Sequence, residues 1–359
     1  IAKESVFVNT TYTEAWCAPS RSSFLTGRYR HLLSSNAFSS KDETTLAQRL
    51  NSVGYMSYAV GKWHVGWQSW SMTPVGRGFH RYLGNLLNPE DHYTHCSKAD
   101  VVIPGAGQSA QAQRKALVEE VRKEVVKQAA REAKPTAIKE LVREEEVAEE
   151  PLLYDHTYME SYPFANESSS PSSPFWDVAE GTLGKYDAEV FDEVAKVFLV
   201  DHKEKFPEKP FFLYYAMYAD HYPYQADEYW KANCGGVISQ GRRNICGMQA
   251  AADSALSNFT DVMNEYYPGE DYVVLLTGDN GGMIGKGRLV QGWSNNAPLR
   301  GQKFTDWEGG VHSRAMIFGK HPDLQASSMR GKMYMGGFMH LVDWHATLAE
   351  LGGGPPDGG

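Results

Sequence analysis

The sequence predicts an α/β fold in which a mostly parallel central sheet is flanked by helices. Residues 209–221 (KPFFLYYAMYADH) and 271–282 (DYVVLLTGDNGG) begin with runs that are apolar at nearly every position, which is typical of strands buried on both faces. A helical pattern from about Met248 to Tyr266 lies between them and completes a β-α-β unit. With 359 residues, the chain can form one large domain with a substantial core.

Hydrophobic periodicity predicts the remaining elements. Thr44 to Ser52 is expected to form a helix that Gly54 ends, and Met56 to Val60 a short strand. Ala315 to Phe318 is expected to form another strand. A long amphipathic helix is predicted from Tyr186 to Lys203, and its apolar stripe consists of Val190, Phe191, Val194, Val197 and Phe198.

Residues 107–150 differ in composition from the rest of the chain. They are rich in Ala, Glu, Lys and Arg, nearly lack aromatic residues, and carry a thin helical stripe that Pro135 interrupts. A charged stretch of this kind is more often a solvated helix than a binding element. We therefore expect one domain over residues 1–359 with a charged helical insertion at about 107–150.

Composition excludes several classes of function. A formal net charge of −9 leaves no basic excess to neutralise phosphates, so we expect no nucleic-acid partner. No apolar run approaches 18 residues, so we expect no membrane span. Asn9, Asn166 and Asn258 lie in glycosylation sequons, which also arise often by chance. Of the four cysteines, Cys234 and Cys246 could close a local loop or stay reduced.

Chemistry-bearing residues follow the predicted strands. In open α/β sheets, ligands bind beyond the carboxyl ends of strands, so these residues are expected to meet. They offer hard oxygen ligands, imidazoles and ammonium groups, a set that suits a tetrahedral oxyanion ester. The residues are Lys62, His64, His221, Asp279, Asn280 and Lys303.

Each of these residues also has an ordinary explanation. A single histidine is usually a satisfied hydrogen-bonding residue, and Asp279-Asn280 before two glycines is more often a turn than a metal site. Lys303 alone would be a surface lysine. Only the joint pattern favours a catalytic site.

Residues 15–30 (AWCAPSRSSFLTGRYR) place a cysteine just before a short predicted helix. Pro19 suits the first helical turn, and Gly27 would end the helix. Cys17 could be a packed thiol, a metal ligand, half of a disulfide or a nucleophile. At a helix N-terminus near Arg21, negative charge on Cys17 is favoured.

The segment CAPSRSSFLTG resembles the signature of the type I sulfatases, Cys-x-Pro-Ser-Arg followed by Leu-Thr-Gly. Further likeness runs, in the family's order, through GYMSYAVGKWHVG, GRGFHRYLG, EKPFFLYYAMYADHYPY, TGDNGG, NNAPLRGQKFTDWEGGV and HLVDWHATLAELGG. APLRGQKFTDWEGGV and LGNLLNPEDHYTH look most like the arylsulfatase B type, the N-acetylgalactosamine-4-sulfatases. The resemblance implies an alkaline-phosphatase-like α/β sandwich.

The resemblance implies a role for each candidate residue. Cys17 would be oxidised to formylglycine by a dedicated generating enzyme, and one hydroxyl of its hydrate would attack sulfur to form a covalent sulfo-enzyme intermediate. Arg21 and His64 would hold the diol, and His64 would be the base for elimination of sulfate. Lys62, His221 and Lys303 would bind the sulfate oxygens, and His221 or Lys303 would protonate the leaving alcohol. Asp279 and Asn280 would ligate Ca²⁺.

The chain departs from the family pattern at both ends. The family's first strand, which ends in an Asp-Asp pair of metal ligands, and its small C-terminal antiparallel domain are not found. We therefore expect a sulfatase truncated at both ends that binds calcium weakly and hydrolyses sulfate esters poorly, because calcium takes six to eight oxygens.

Three functions remain open at this stage. The first is a sulfatase of the secretory pathway, lysosomal or extracellular, acting on a sulfated carbohydrate or an aryl sulfate. The second is a catalytically impaired sulfatase-like protein that binds sulfated glycans. The third is a phosphonate or phosphate ester hydrolase on the same scaffold. Conversion of Cys17 to formylglycine distinguishes the first function from the second. Relative rates of hydrolysis of matched aryl sulfate and aryl phosphonate esters distinguish the first from the third.

Overall fold

A computed structural model describes residues 1–97, 153–160 and 175–354, apart from 34, 36, 37, 88, 89, 94, 155, 180, 181, 183, 238 and 286–291. The predicted insertion at 107–150 and the sequon at Asn166 lie outside the described residues. Within the described ranges, no helix is both long and apolar enough to cross a membrane.

The described residues form twelve strands and eight α-helices. The strands are β1 (Val6–Tyr12), β2 (Met56–Gly61), β3 (Arg81–Asn85), β4 (Cys96–Ser97), β5 (Leu153–Tyr154), β6 (His156–Glu160), β7 (Phe175–Val178), β8 (Phe211–Ala216), β9 (Val273–Thr277), β10 (His312–Gly319), β11 (Met333–Tyr334) and β12 (Met339–His340). The α-helices are α1 (Cys17–Thr26), α2 (Leu46–Ser52), α3 (Asp187–Lys205), α4 (Glu228–Lys231), α5 (Gln240–Tyr266), α6 (Glu308–Val311), α7 (Pro322–Ala326) and α8 (Leu341–Leu351). Single 3-10 turns lie at Ala2–Glu4, Arg30–Leu32 and Trp70–Met72.

The strands are divided between two mixed five-stranded sheets, while β4 and β5 pair separately. One sheet has the order β7-β6-β3-β2-β8, in which β2 is parallel to β3 and β8, and β6 and β7 return antiparallel. In the other, β10 lies antiparallel between β1 and β9, while β11 and β12 pair parallel with β1. The α/β class is thus confirmed, but parallel pairing is confined to part of each sheet because β6 and β10 reverse direction.

The predicted elements are present with small shifts at their ends. Helix α2 begins after Thr45, whose side chain and that of Gln48 form a capping box. Helix α5 begins eight residues before the predicted Met248, and α3 follows Tyr186 as expected. Predicted stripe residues of α3, such as Phe191 and Phe198, are buried against β2, β3 and β8. Val197 of that stripe is only half-buried.

Strands β8 and β9 are less buried than their apolar sequences predict. All six positions of β2 are buried, whereas β8 is half-buried at five of six, and Leu276 of β9 is 37% exposed. Both strands line one cleft of about 1940 Å³, and no described strand pairs with the β8 or β9 edge that faces it. This gap between the two sheets explains the exposure.

A disulfide joins Cys234, after α4, to Cys246 in α5, with a Cα–Cα distance of 6.0 Å. The sequence left this pair open between a disulfide and two thiols. Cys17 is a buried thiol, so it is not half of a disulfide.

Candidate active site

The N-terminus of α1 places Cys17 at the floor of the cleft. The thiol is in the first helical residue and is 2% exposed. Gly27 ends the helix in the left-handed conformation, with φ 69°, as predicted. Arg21 lies one helical turn after Cys17 and therefore on the same face.

All eight candidate site residues line this one cleft. Catalytic candidates contributed by α1 and the loops after β2, β8 and β9 are thus brought together, as expected for the carboxyl ends of strands. Their individual roles stay predictions. The residues are Cys17, Arg21, Lys62, His64, His221, Asp279, Asn280 and Lys303.

The surroundings of Cys17 favour a negative charge. Its Sγ lies 3.2 Å from His64 Nδ1. Burial alone raises the pKa of the thiol, but Lys62, Lys303 and His64 outweigh it and lower the pKa well below its ordinary value. Position 17 is therefore surrounded by cations that would stabilise negative charge on a bound oxyanion.

Lys62 is held by the strand that precedes it. Its backbone N–H donates to Ala216 O at 2.8 Å, which ties the end of β2 to the end of β8. Gly61 has φ 93°, and a side chain there would collide with the Ala216 carbonyl, so glycine is required for this approach. Burial lowers the pKa of Lys62 to about 8.

Arg21 joins the first helix to the loop after β9. Its Nε and Nη2 each lie 2.9 Å from Asp279 Oδ2, and its Nη1 donates to Lys62 O at 2.7 Å. Burial alone would raise the pKa of Asp279. Arg21, Lys62 and Lys303 lower it far more, so the pKa of Asp279 lies well below its ordinary value. The carboxylate is ionised among these cations at neutral pH.

His221 is held in one tautomer. Its Nδ1 lies 2.7 Å from Tyr222 O, and because a carbonyl only accepts, Nδ1 carries a proton. Burial, with Lys62 and Lys303 nearby, lowers the pKa of His221 well below its ordinary value. At neutral pH its Nε2 therefore carries no proton before an anion binds.

Asn280 and Asp279 fit part of a calcium site. Asn280 Oδ1 is buried and accepts no hydrogen bond from any described residue, although its Nδ2 donates to Gly281 O at 2.9 Å. A buried amide oxygen of this kind is costly unless it has a partner, and a hard cation would supply one. Asp279 adds a carboxylate, so the pair offers two of the oxygens that calcium takes.

The sequence did not single out two tyrosines of the site. Tyr214 Oη lies 3.4 Å from Arg21 Nη1, and Lys62 Nζ lies 5.7 Å from the centroid of the Tyr218 ring. Both tyrosines belong to the apolar run at β8, where aromatic residues look like core. The sequence feature that could have identified them is a pair of tyrosine hydroxyl groups in a segment that leads directly to the candidate residue His221.

Two predicted sequons lie in described segments. Asn9 is half-buried in β1, whereas Asn258 is exposed on α5 and its Nδ2 donates to Asp192 Oδ2 at 2.5 Å. Glycosylation at either position stays a prediction.

The sulfatase family model matches residues 1–354, nearly the whole chain. The chain belongs to the sulfatase family. Mouse arylsulfatase J is 28% identical over 99% of this chain and 48% of its own length. Human arylsulfatase A is 25% identical over 94% of this chain and 55% of its length. The chain thus spans about half the length of these curated relatives.

Solved structures support the fold assignment. The structure of Ps i-CgsB has a TM-score of 0.68 at 23% identity and covers 98% of this chain and 65% of that one. PsFucS1 sulfatase from Pseudoalteromonas sp. has a TM-score of 0.62 at 21% identity, covering 98% of this chain and 60% of that one. The alkaline-phosphatase-like α/β fold expected of a sulfatase is therefore confirmed, while the finer likeness to arylsulfatase B stays a prediction.

Proposed function

We propose that this sulfatase-family chain hydrolyses sulfate esters, with the nucleophile at position 17. The observation that carries the proposal is the buried Cys17 thiol, 3.2 Å from His64 Nδ1, within a group of cations that lowers its pKa. Such a group suits a sulfate ester, whose oxygens carry negative charge throughout the reaction. Family membership supports the same chemistry.

Oxidation of Cys17 to formylglycine would supply the nucleophile as an aldehyde hydrate. One hydroxyl of the hydrate would attack sulfur and displace the alcohol. Loss of the proton from the other hydroxyl would then expel sulfate and re-form the aldehyde. His64 is placed to accept the proton of that second hydroxyl, because its Nδ1 already contacts the side chain at position 17. Burial lowers the pKa of His64, so it is a neutral base at pH 7.

Lys303 would be the donor for the leaving alcohol, because its side chain carries the protons that this role needs. His221 Nε2 carries no proton in the resting site, whereas an ammonium group has three. The Lys303 backbone is fixed by its N–H bond to Gly282 O at 3.1 Å, next to the loop that carries Asp279. Lys62 and His221 would then bind the sulfate oxygens.

Asp279 and Asn280 would hold the calcium ion, which supplies positive charge against the sulfate oxygens. Two further carboxylates, on a strand between β8 and β9, would complete its ligands. Support for this strand comes from the unpaired edges of β8 and β9 among the described residues and from their half-exposed apolar side chains. The proposed catalytic domain over residues 1–359 would be complete only with that strand.

A sulfated carbohydrate is the proposed substrate. Trp16 and Phe304 lie together at the cleft, with ring centroids 6.2 Å apart, and Phe304 is 61% exposed. Flat aromatic faces of this kind pack well on the apolar faces of sugars. The similar protein Ps i-CgsB has been crystallised in complex with a neocarrahexaose, which belongs to the same class of ligand. The disulfide is compatible with a secretory, lysosomal or extracellular location.

The test begins with the chain produced alongside a formylglycine-generating enzyme. We expect the tryptic peptide of residues 4–21 to show Cys17 converted to the aldehyde. We also expect slow turnover of an aryl sulfate, because two protein ligands hold calcium weakly, and Cys17→Ala and Lys303→Met should abolish this turnover. Lys332→Met, at an exposed lysine, is the matched control and should retain turnover. An unmodified thiol would favour a glycan-binding protein instead, and faster cleavage of the matched aryl phosphonate would favour a phosphonate hydrolase.

A further inference from the structure

Three buried side chains outside the catalytic residues form a compact cluster beside the cleft, whose lining includes Glu90. Glu90, His95 and His156 are each at most 1% exposed. One potential ligand atom from each lies within 4.8 Å of the other two. Glu90 and His95 lie in the loop between β3 and β4, whereas His156 begins β6, so the fold brings two distant segments together.

Thr182 fixes the tautomer of both histidines. His95 Nε2 lies 2.9 Å from Thr182 O, which can only accept, so Nε2 carries the proton. Thr182 Oγ1 donates its one proton to Ala179 O at 2.8 Å and therefore accepts from His156 Nδ1 at 3.1 Å. Burial lowers the pKa of both His95 and His156 to about 3, so each ring is neutral. The lone pairs then lie on His95 Nδ1 and His156 Nε2.

The resulting contact with Glu90 needs a positive charge. His156 Nε2, which bears a lone pair, lies 3.3 Å from Glu90 Oε1, which is also an acceptor when ionised. Neither Glu90 oxygen accepts a hydrogen bond from any described residue. Two facing acceptors in a buried site repel unless a proton or a cation lies between them.

We propose that Glu90, His95 and His156 bind a zinc ion. Two neutral imidazoles and one carboxylate are a donor set that zinc takes in proteins. Two ligands bound tetrahedrally at ~2.0–2.1 Å lie ~3.3–3.4 Å apart, which matches the observed Glu90–His156 separation. Thr182 holds the far nitrogens of the two rings, and metal-bound histidines usually have such a hydrogen-bond partner. His95 also has a strained φ of 52°, which its surroundings must enforce.

Zinc at this position would brace the catalytic loop after β8. The Glu90 backbone N–H donates to Tyr218 Oη at 2.9 Å, and Tyr218 lies under Lys62. His92, two residues along, contacts Asp187 at 2.8 Å and His221 O at 3.2 Å. The site is distinct from the candidate calcium site in the loop after β9, and its role is structural, so it does not depend on the proposed sulfatase activity.

The experiment uses the purified chain, stripped with chelator and then incubated with Zn²⁺ alone. We expect about one zinc per chain after gel filtration, and a thermal midpoint that rises with zinc concentration, because the metal binds only the folded chain. Glu90→Gln and His156→Asn should lose this zinc, and Thr182→Val should weaken its affinity by roughly 10- to 100-fold. Co²⁺ in place of zinc should give the visible absorption of a tetrahedral site.

Matched surface controls are Glu228→Gln and His321→Asn, which should bind zinc as the unmodified chain does. Asp279→Asn should also retain it, which separates this site from the calcium site. Stoichiometric zinc in folded Glu90→Gln would overturn the proposal. The proposal would also be overturned if the unmodified chain retained no zinc, showed no shift in thermal midpoint and gave no Co²⁺ absorption. In that case a proton alone would bridge Glu90 and His156. The Co²⁺ spectrum needs no variant and decides the matter even if the substitutions prevent folding.

Discussion

The ion pair between Arg21 and Asp279 offers a quantitative test of the site's geometry. Arg21→Met keeps the unbranched apolar stem but removes four polar interactions: two with Asp279 Oδ2 at 2.9 Å, one with Lys62 O at 2.7 Å and one with Tyr214 Oη at 3.4 Å. The Arg21 side chain is 8% exposed and that of Asp279 31%, so the pair is only partly screened by water. We expect the substitution to destabilise the fold strongly.

The size of the effect can be worked out from these interactions. A hydrogen bond to a charged group contributes about 1.5–3 kcal/mol, and removing one partner of a buried pair costs about 3–5 kcal/mol. Because Asp279 is partly exposed, we expect Arg21→Met to lower the free energy of unfolding by about 3 kcal/mol, near the lower bound of that buried-pair range. Part of this loss is the interaction energy between Arg21 and Asp279. A double-mutant cycle of Arg21→Met with Asp279→Asn isolates that energy, and we expect a coupling of about 2 kcal/mol.

Urea unfolding of the four proteins, in chelator and at pH 7, measures this coupling. Arg30→Met is the control, because Arg30 is more exposed and pairs with Glu14 and Asp306 at 3.5 and 3.3 Å; its replacement should cost under ~1 kcal/mol. The pKa of Asp279 is lowered in the fold, so the coupling should persist above an unfolded pKa of ~3.9 and fade as the pH falls further. A coupling below ~0.5 kcal/mol at pH 7 would refute the geometry.

The thiol, the calcium ligands and the disulfide each give a further prediction. Alkylation of the unmodified Cys17 thiol by iodoacetamide in the native chain should have a pH midpoint well below 9, and Lys62→Met should raise it; an unshifted midpoint would contradict the proposed cation cluster. Calorimetry should find that the 359-residue chain binds calcium more weakly than the ~10⁻⁷–10⁻⁵ M of sensor sites, and that Asp279→Asn abolishes binding; tight binding would show that two ligands suffice. Replacing Cys234 and Cys246 by serine should lower the unfolding free energy by about 3 kcal/mol in urea titrations, given their 12-residue separation, and unchanged stability would argue against the disulfide.

Local patterns predicted most of the elements but not their pairing. Thr44 to Ser52 and Met56 to Val60 were recognisable because each carries its own periodicity and its own stop signal. The direction of β10 and the antiparallel pairing of β6 with β3 were not predictable. Strand pairing depends on which sheet edge remains available after the rest of the chain has folded. The half-exposure of β8 and β9 likewise depends on what lies between them.

The site residues were predictable where a short motif carried them. Cys17, Arg21, Lys62 and His64 lie in two compact motifs, and the structure brings them together. The tyrosines of the β8 segment were hidden because an aromatic residue in an apolar strand looks like core. The proposed zinc cluster was hidden because His156 lies far along the chain from Glu90 and His95, and because the orientation of each imidazole depends on Thr182.

The state of Cys17 tests the central claim most directly. Mass spectrometry of the 4–21 tryptic peptide, from cells that convert the cysteine of a known sulfatase, reports it without any assay of turnover. Conversion to formylglycine would show loss of sulfur and gain of the aldehyde oxygen at position 17, which is the predicted result. A thiol throughout, in the same cells, would contradict the assignment of position 17 as the nucleophile of a sulfate ester hydrolase.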